Sequence, residues 1–327
     1  KNPQGFKPNR KEPTGKKRGG QIGHIGHERK LYPLEMCLEV IDHYPQQCGK
    51  CGASVNESIS SQIYRHQIVE VPPVQPIVIE HRFHQITCTC CGRENQAPEM
   101  AEIIGKGGYG ARVAAYVGLF SSQYRQSYRQ IQKIMQAVFG IEMSLGTINN
   151  LRTEVSEAVS DAVAEAQEYI QQQPTVSVDE TGFKQRNGDG QNAAKTSGWL
   201  WVTVTPLIIC FQVILSRAST AAQTVLGSAF KTVRTCRNLL KLEVALWLFV
   251  REEGVEPTNN AAERAIRPAV IWRRTSFGSD SLAGSEFVSR LLTVVSSLNL
   301  QERSILDFLV ESVSASRAGE VPPSLLR

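Results

Sequence analysis

Apolar residues follow different periods along the chain, and the changes of period mark its divisions. Residues 1–30 show no period and few apolar positions. Two β-branched runs follow, Ile63–Val71 and Ile77–Ile86, joined at Pro72-Pro73, and they predict two strands. From Ala111 the repeat becomes helical. Ala111–Ser121 and Ser127–Phe139 read as helices, the second placing Tyr128, Ile131, Ile134, Met135 and Val138 on one face. Gly140 stands where a helix-ending glycine belongs, and Ser144 can cap a third helix starting near Leu145. Val155, Val159, Ala162, Val163, Ala166 and Ile170 extend that pattern as one long amphipathic helix to Gln173. Pro174 stops it. Three apolar strands come next, Thr175–Val178, Trp199–Thr205 and Leu207–Leu215, with Lys184–Ser197 as a polar loop after the first. Helical patterns return at Ser219–Phe230, Leu239–Val250 and Phe287–Ser297.

With the Cys-x-x-Cys pairs at Cys48/Cys51 and Cys88/Cys91, this order predicts an α/β multidomain chain: a small zinc ribbon, a helical helix-turn-helix-like region, and the opening half of a ribonuclease-H-like domain. A chain of 327 residues, 41% hydrophobic and 20% charged, has room for two or three such domains. No run approaches the roughly 18–20 apolar residues of a membrane helix; Val202–Leu215 is interrupted by Thr205, Pro206 and Gln212. Eight cysteines are too sparse for a secreted disulfide scaffold, and no signal peptide opens the chain. All six histidines precede residue 85, so no Ser/His/Asp arrangement is local to the C-terminal two-thirds. The chain opens at Lys1 rather than Met, which reads as a cropped product.

The formal charge of +5 is unevenly spread. Residues 1–30 hold nine Lys/Arg against Glu12 and Glu28, a balance of +7, so the remainder sums to −2. The Lys16-Lys17-Arg18 cluster fits a DNA backbone through counterion release, or else belongs to a solvated tail. Cys48-Gly49-Lys50-Cys51-Gly52 and Cys88-Thr89-Cys90-Cys91-Gly92 form two CxxCG knuckles. Each CxxC turn spans one edge of a zinc tetrahedron, so Cys48, Cys51, Cys88 and Cys91 make a thiolate set, with Cys90 as decoy and Cys37 as bystander. Gly105–Gly110 matches GxGxxG, but no buried strand precedes it and no acid lies between Gly105 and Ile141; it reads as a hinge.

In the helical region, Thr147, Asn149 and Asn150 sit at the start of the third helix, where a helix-turn-helix reads bases; a plain bundle is the other reading. Asp179 follows the first strand, placed to hold a divalent metal or merely to turn the chain. Asn260 and Glu263 read as a capping box, or Glu263 as a carboxylate facing Asp179. Arg264, Arg267, Arg273 and Arg274 lie near enough in sequence to serve phosphates.

Together these residues resemble the insertion-sequence-66 family of bacterial transposases, which use a DDE triad on a ribonuclease-H-like fold. The resemblance rests on Gly19-Gly20-Gln21-x-Gly23-His24, the paired knuckles, Ser177-Val178-Asp179-Glu180-Thr181, and Thr258-Asn259-Asn260-x-Ala262-Glu263-Arg264-x-x-Arg267-Pro268. It implies Asp179 as the first catalytic acid and Glu263 as the last, both on Mg²⁺, and Zn²⁺ on the four knuckle cysteines. It further implies double-stranded DNA at insertion-sequence ends as partner, a cytoplasmic, nucleoid-associated location without membrane contact, and room for a homo-oligomer. The boundaries read as a basic arm over 1–34, a zinc ribbon over 35–104, the helical DNA-binding region over 105–173, the catalytic domain over 174–314 and a tail over 315–327.

The chain departs from the family at one place. Members carry a second Asp at the end of a strand after the helix matching Ser219–Phe230. Here Phe230 runs directly into Lys231-Thr232-Val233-Arg234, which resembles a later point in the family. The intervening acids are Asp189, in a Gly-Asp-Gly loop, and Glu243, Glu252, Glu253 and Glu256, in or after a helix. None ends a buried strand. The expectation is a transposition protein truncated between 230 and 231, inactive for lack of the second Asp, or else a non-catalytic DNA-binding regulator from the same element. Without its missing partners the first strand is expected to be an unprotected edge.

Overall fold

The computed structural model describes residues 30–55, 64–97, 106–194, 196, 198–215 and 259–326. The basic cluster Lys16, Lys17 and Arg18, the helical patterns at Ser219–Phe230 and Leu239–Val250, and the junction at Phe230–Lys231 lie outside these residues. The chain falls into two compact units, Lys1–Pro73 and Val74–Arg327.

In the first unit the described residues carry one 3-10 turn, Leu34–Met36, and a knuckle closed by an isolated bridge between Gln47 and Ser54. The Gln67 side chain clips the two described segments together, accepting from Tyr32 N–H at 2.8 Å and donating to Tyr32 O at 2.9 Å. None of these residues is fully buried. Tyr64–Val71, part of the first predicted strand, has no ladder pairing among the described residues. Its β-branched side chains stay in solvent, with Ile68 84% exposed.

The second unit begins in the same manner. Of the predicted strand Ile77–Ile86, only Gln85 and Ile86 pair, within Gln85–Thr87 (β1), which runs antiparallel to Glu94–Gln96 (β2) across the second knuckle. A hairpin with three residues on each side cannot bury the apolar side chains before it, and Ile77 is 91% exposed. The core starts at Ala111.

Four helices follow: Ala111–Ser122 (α1), Tyr128–Phe139 (α2), Leu145–Ala158 (α3) and Ser160–Gln171 (α4). Their ends are written locally. Ser127 and Gln130 close a reciprocal capping box on α2, Gly140 ends it in the left-handed region at φ 65°, and Ser144 caps α3 at Thr147 N–H. The pattern read as one long helix breaks between α3 and α4. Val159 leaves helical geometry at φ −98°, ψ 3°, and the Ser160 hydroxyl donates back to Glu157 O at 2.7 Å, competing with the helical ladder. α1 and α3 pack closely because Gly118 has no side chain; a Cβ there would lie 2.8 Å from Val155.

The sheet is an antiparallel meander of Ser177–Phe183 (β3), Gly198–Val204 (β4) and Ile209–Ile214 (β5), in the order β3-β4-β5. Asn260–Ala265 (α5), Arg267–Ser276 (α6), Leu282–Leu300 (α7) and Ile305–Ala318 (α8) follow, and a 3-10 turn at Lys106–Gly108 precedes α1. One core joins the sheet to the helices through Phe183, Leu200, Val202, Phe211, Leu291, Leu298 and Leu309. A smaller cluster gathers Val176, Val178, Trp199 and Ile214 around Trp201. Across the helices, buried Glu154 on α3 receives two guanidinium bonds from Arg317 on α8, at 2.8 and 3.1 Å.

The outer edge of β5 is covered by α7 through side-chain hydroxyls. Ile209, Phe211 and Val213 donate their N–H groups to Ser297 at 3.1 Å, Thr293 at 2.8 Å and Ser289 at 3.0 Å. The match is geometric: two strand residues advance about 6.8 Å and four helical residues about 6 Å, so hydroxyls four apart meet every second amide.

Candidate functional site

β3 positions the predicted acid. Its residues alternate faces, with Asp179 opposite Val202, Thr181 opposite Leu200 and Phe183 opposite Gly198. Leu200, Val202 and Phe183 belong to the main core, so Asp179 stands on that side of the sheet. Glu180 points to the other side, opposite Trp201. Glu180 is exposed as a residue, and partial desolvation of its carboxyl, aided by the neighbouring charge of Asp179, holds it above its ordinary value.

The other predicted acid arrives on α5. Its capping box does not form: Asn259 occupies the N-cap position without a side-chain cap bond, and the helix begins at Asn260. The Asn259 amide instead donates to Val178 O at 3.0 Å, the carbonyl adjoining Asp179. Ala262 is buried in the same core as Leu200 and Val202, and Glu263 on the next position is exposed. The structure therefore seats the helix bearing Glu263 against the strand bearing Asp179.

Among the nearby arginines the structure separates one from the rest. Arg264, Arg267 and Arg274 are exposed. Arg273 is half-buried and works as a clamp, its Nη1 donating to Thr181 Oγ1 at 2.7 Å and to Gly182 O at 2.8 Å. Farther along, β3 runs on beside Ser279 as a parallel bridge: Ser279 N–H reaches Lys184 O and Arg186 N–H reaches Ser279 O. Glu180 N–H is accepted by Asp179 Oδ1 at 2.9 Å. Among the described residues no strand pairs with this outer edge of β3; side chains and the Ser279 segment dress it.

Asp189 has another use. It accepts N–H bonds from Leu282 and Gln191, and the first of these leads in holding its carboxyl below the ordinary range. It is a cap for the start of α7, where a negative charge suits the helix dipole.

In the helical region Thr147 joins the cap of α3, its hydroxyl 3.0 Å from that of Ser144. Asn149 accepts from the Tyr128 hydroxyl at 2.9 Å, and Asn150 stays exposed. Arg152, one turn on, is held by the Tyr128 hydroxyl and lies over the Phe287 ring at 3.9 Å.

The two knuckles lie in different units and have the same construction. In the first, Cys48 N–H reaches Ala53 O at 2.8 Å and Gly52 N–H reaches Cys48 O at 2.9 Å; in the second, Cys88 bonds Arg93 O and Gly92 bonds Cys88 O at the same two distances. Gly52 and Gly92 both adopt the left-handed region, at φ 72° and 70°. Backbone amides of Lys50 and Cys51 point at the Cys48 sulfur and hold that thiol below its ordinary value. Those of Cys91 and Cys90 do the same for Cys88. Each turn thus favours a thiolate, the form zinc takes, and the donor chemistry fits structural zinc. Among the described residues no three His, Cys, Asp or Glu gather at a common point. Cys37 donates to Pro33 O at 3.6 Å, and its sulfur accepts from the Gln67 amide at 3.4 Å.

A family model described as "Transposase IS66 family" matches residues 106–236 and 228–286, and one described as "zinc-finger binding domain of transposase IS66" matches residues 45–92. The first spans more than half of the chain, and the chain belongs to the IS66 family of transposases. No characterised protein and no solved structure matches it.

Sequence reasoning missed the Arg273 clamp, the Asn259 anchor and the capping role of Asp189. Asn259 carried a signal, since it lies inside the Thr258–Pro268 motif. Arg273 had none beyond its charge.

Proposed function

We propose that this chain is an end-binding transposition protein whose catalytic domain, ribonuclease-H-like in design, no longer cleaves DNA. The observation that carries the reading is the Asn259 bond to Val178 O, which ties the helix of Glu263 to the strand of Asp179. Such an anchor holds two carboxylates on neighbouring elements, as a metal-dependent phosphodiester site requires.

Two observations support loss of cleavage. The family match comes in two stretches that meet at 228–236, bracketing the Phe230–Lys231 junction. Asp189, the one Asp between Asp179 and Glu263, is engaged as a helix cap. Asp179 and Glu263 alone offer fewer hard oxygens than two Mg²⁺ ions need, so the residues do not fit a complete two-ion centre.

DNA contact then falls to the basic arm over 1–34, the zinc ribbon over 35–104 and the helical region over 105–173. Within the last, α2 and α3 act as a helix-turn-helix with Asn150 free to reach bases, and Arg264, Arg267 and Arg274 serve the backbone. Such a protein works in the cytoplasm beside the nucleoid.

The test is a gel shift and a nicking assay on the element's end sequence. Binding that weakens steeply with salt, without Mg²⁺-dependent nicking, is expected. Nicking abolished by Asp179→Asn would overturn the inactive reading, and absence of salt-dependent binding would overturn both. Elemental analysis should find one zinc per chain, lost in Cys48→Ser and Cys88→Ser.

A further inference from the structure

Beyond the acids, β3 leads into a cleft of about 780 Å³. Lys184, Arg186 and Arg273 line it together with Trp199, Phe277 and Gln185. Phe183 also lines it but is buried in the core, so three cations and two accessible aromatic rings meet in one concave site, the residue types that hold an unpaired nucleotide, with rings stacking on the base and cations taking the phosphates. Arg186 shares its charge with Asp280, at 3.3 Å.

Two details point to a ligand. Gln185 is only 6% exposed, and its Oε1 accepts from the Ser285 hydroxyl at 2.6 Å, yet its Nε2 has no partner among the described residues. An unpaired buried amide donor is costly, and the edge of a base offers an acceptor. Phe277 ends α6 in the left-handed region at φ 59° and is 74% exposed as a residue. A glycine would take this cap without strain, so packing does not account for the aromatic ring. The next residue, Gly278, is required for a separate reason: a Cβ there would collide with the Lys184 carbonyl.

We infer that this cleft holds an unpaired nucleotide of the DNA strand whose backbone lies along β3 at Asp179. The inference rests on the DNA-end reading above and adds what part of the end is recognised. Along the strand, Asp179 and Phe183 are about 13 Å apart, so the cleft receives a base beyond the phosphate at the acids.

The test compares the full chain on three probes: a short duplex with a flush end, the same duplex with unpaired nucleotides carrying a fluorescent adenine analogue, and free deoxyadenosine monophosphate. The unpaired end should bind about tenfold more tightly than the flush end, with quenching of the analogue by stacking. Phe277→Gly should remove both the preference and the quenching, with flush-end affinity within about twofold and a melting temperature unchanged or higher, because left-handed strain is relieved. Trp199→Ala should act in the same direction. Equal binding of the two duplexes without quenching would overturn the cleft and leave the DNA reading standing. Failure to bind either duplex would overturn both. Free nucleotide bound as tightly as the unpaired end would overturn the DNA source.

Discussion

The two outer edges of the three-stranded sheet are finished by different means. On β5, three backbone amides are met by hydroxyls from a single helix, and Thr293 and Ser297 are buried. On β3, among the described residues, outward groups are met one at a time and not all of them are met: Asn259 reaches Val178 O, the strand's own Asp179 side chain accepts from Glu180 N–H, Arg273 reaches Gly182 O, and Ser279 reaches Lys184 O. The first edge is sealed by a periodic match between helix and strand. The second is assembled from long polar side chains at the place where the acids stand. An edge closed by one rigid helix gains stability, whereas an edge dressed by separate side chains keeps polar groups within reach of a ligand.

Hydrogen exchange should separate the two edges most widely. Val178 N–H faces the same way as its carbonyl, toward the outer edge, so it should exchange on the order of 100-fold faster than Phe211 N–H. Strong protection of Val176 and Val178 would show that another segment covers β3. Next in size is Thr293→Val, which keeps the shape and leaves Phe211 N–H unpaired in the core; a loss of about 1–3 kcal/mol in denaturant unfolding is expected. A loss near zero would mean that the hydroxyls fill space without supporting the edge. Asn259→Ala should cost less, about 0.5–1 kcal/mol, because the bond is exposed, while loosening α5 in the same exchange experiment.

The smallest effect concerns Glu180. Its folded-state value lies above the ordinary 4.5, so the fold favours the protonated carboxyl. The associated stability is present in acid and is lost as pH rises through the raised value. Glu180→Gln should therefore stabilise at neutral pH, by less than about 0.5 kcal/mol after screening, and make no difference at pH values below the ordinary carboxylate range. A variant equally stabilising in acid would place the effect in packing instead.

Much of this was readable in the chain. The capping box at Ser127, the stop at Gly140, the cap at Ser144 and both CxxCG turns are decided within four or five residues, and the structure has each of them. The second and third strands of the sheet follow their apolar runs within two residues, whereas β3 runs five residues past its expected end at Val178 and carries Asp179 inside the strand rather than after it. The apolar runs before residue 87 mislead, because a strand needs a partner and among the described residues only Gln85–Thr87 finds a ladder. The hydroxyl stripe of α7 was visible as Ser289, Thr293 and Ser297 four apart, although nothing local says that a strand edge lies against it.

The sequence alone determined the family's motifs, the knuckles and the helix ends, since these depend on neighbours in the chain and on residue types with fixed preferences. Tertiary structure alone decided what Asn259 and Arg273 are for, because their partners lie 81 and 92 residues away. It also decided that Asp189 caps a helix and that Trp199 and Phe277 face one cleft. Contacts at such separations are set by how the sheet and helices pack their apolar faces, and that packing leaves no periodic trace at the polar residues it brings together.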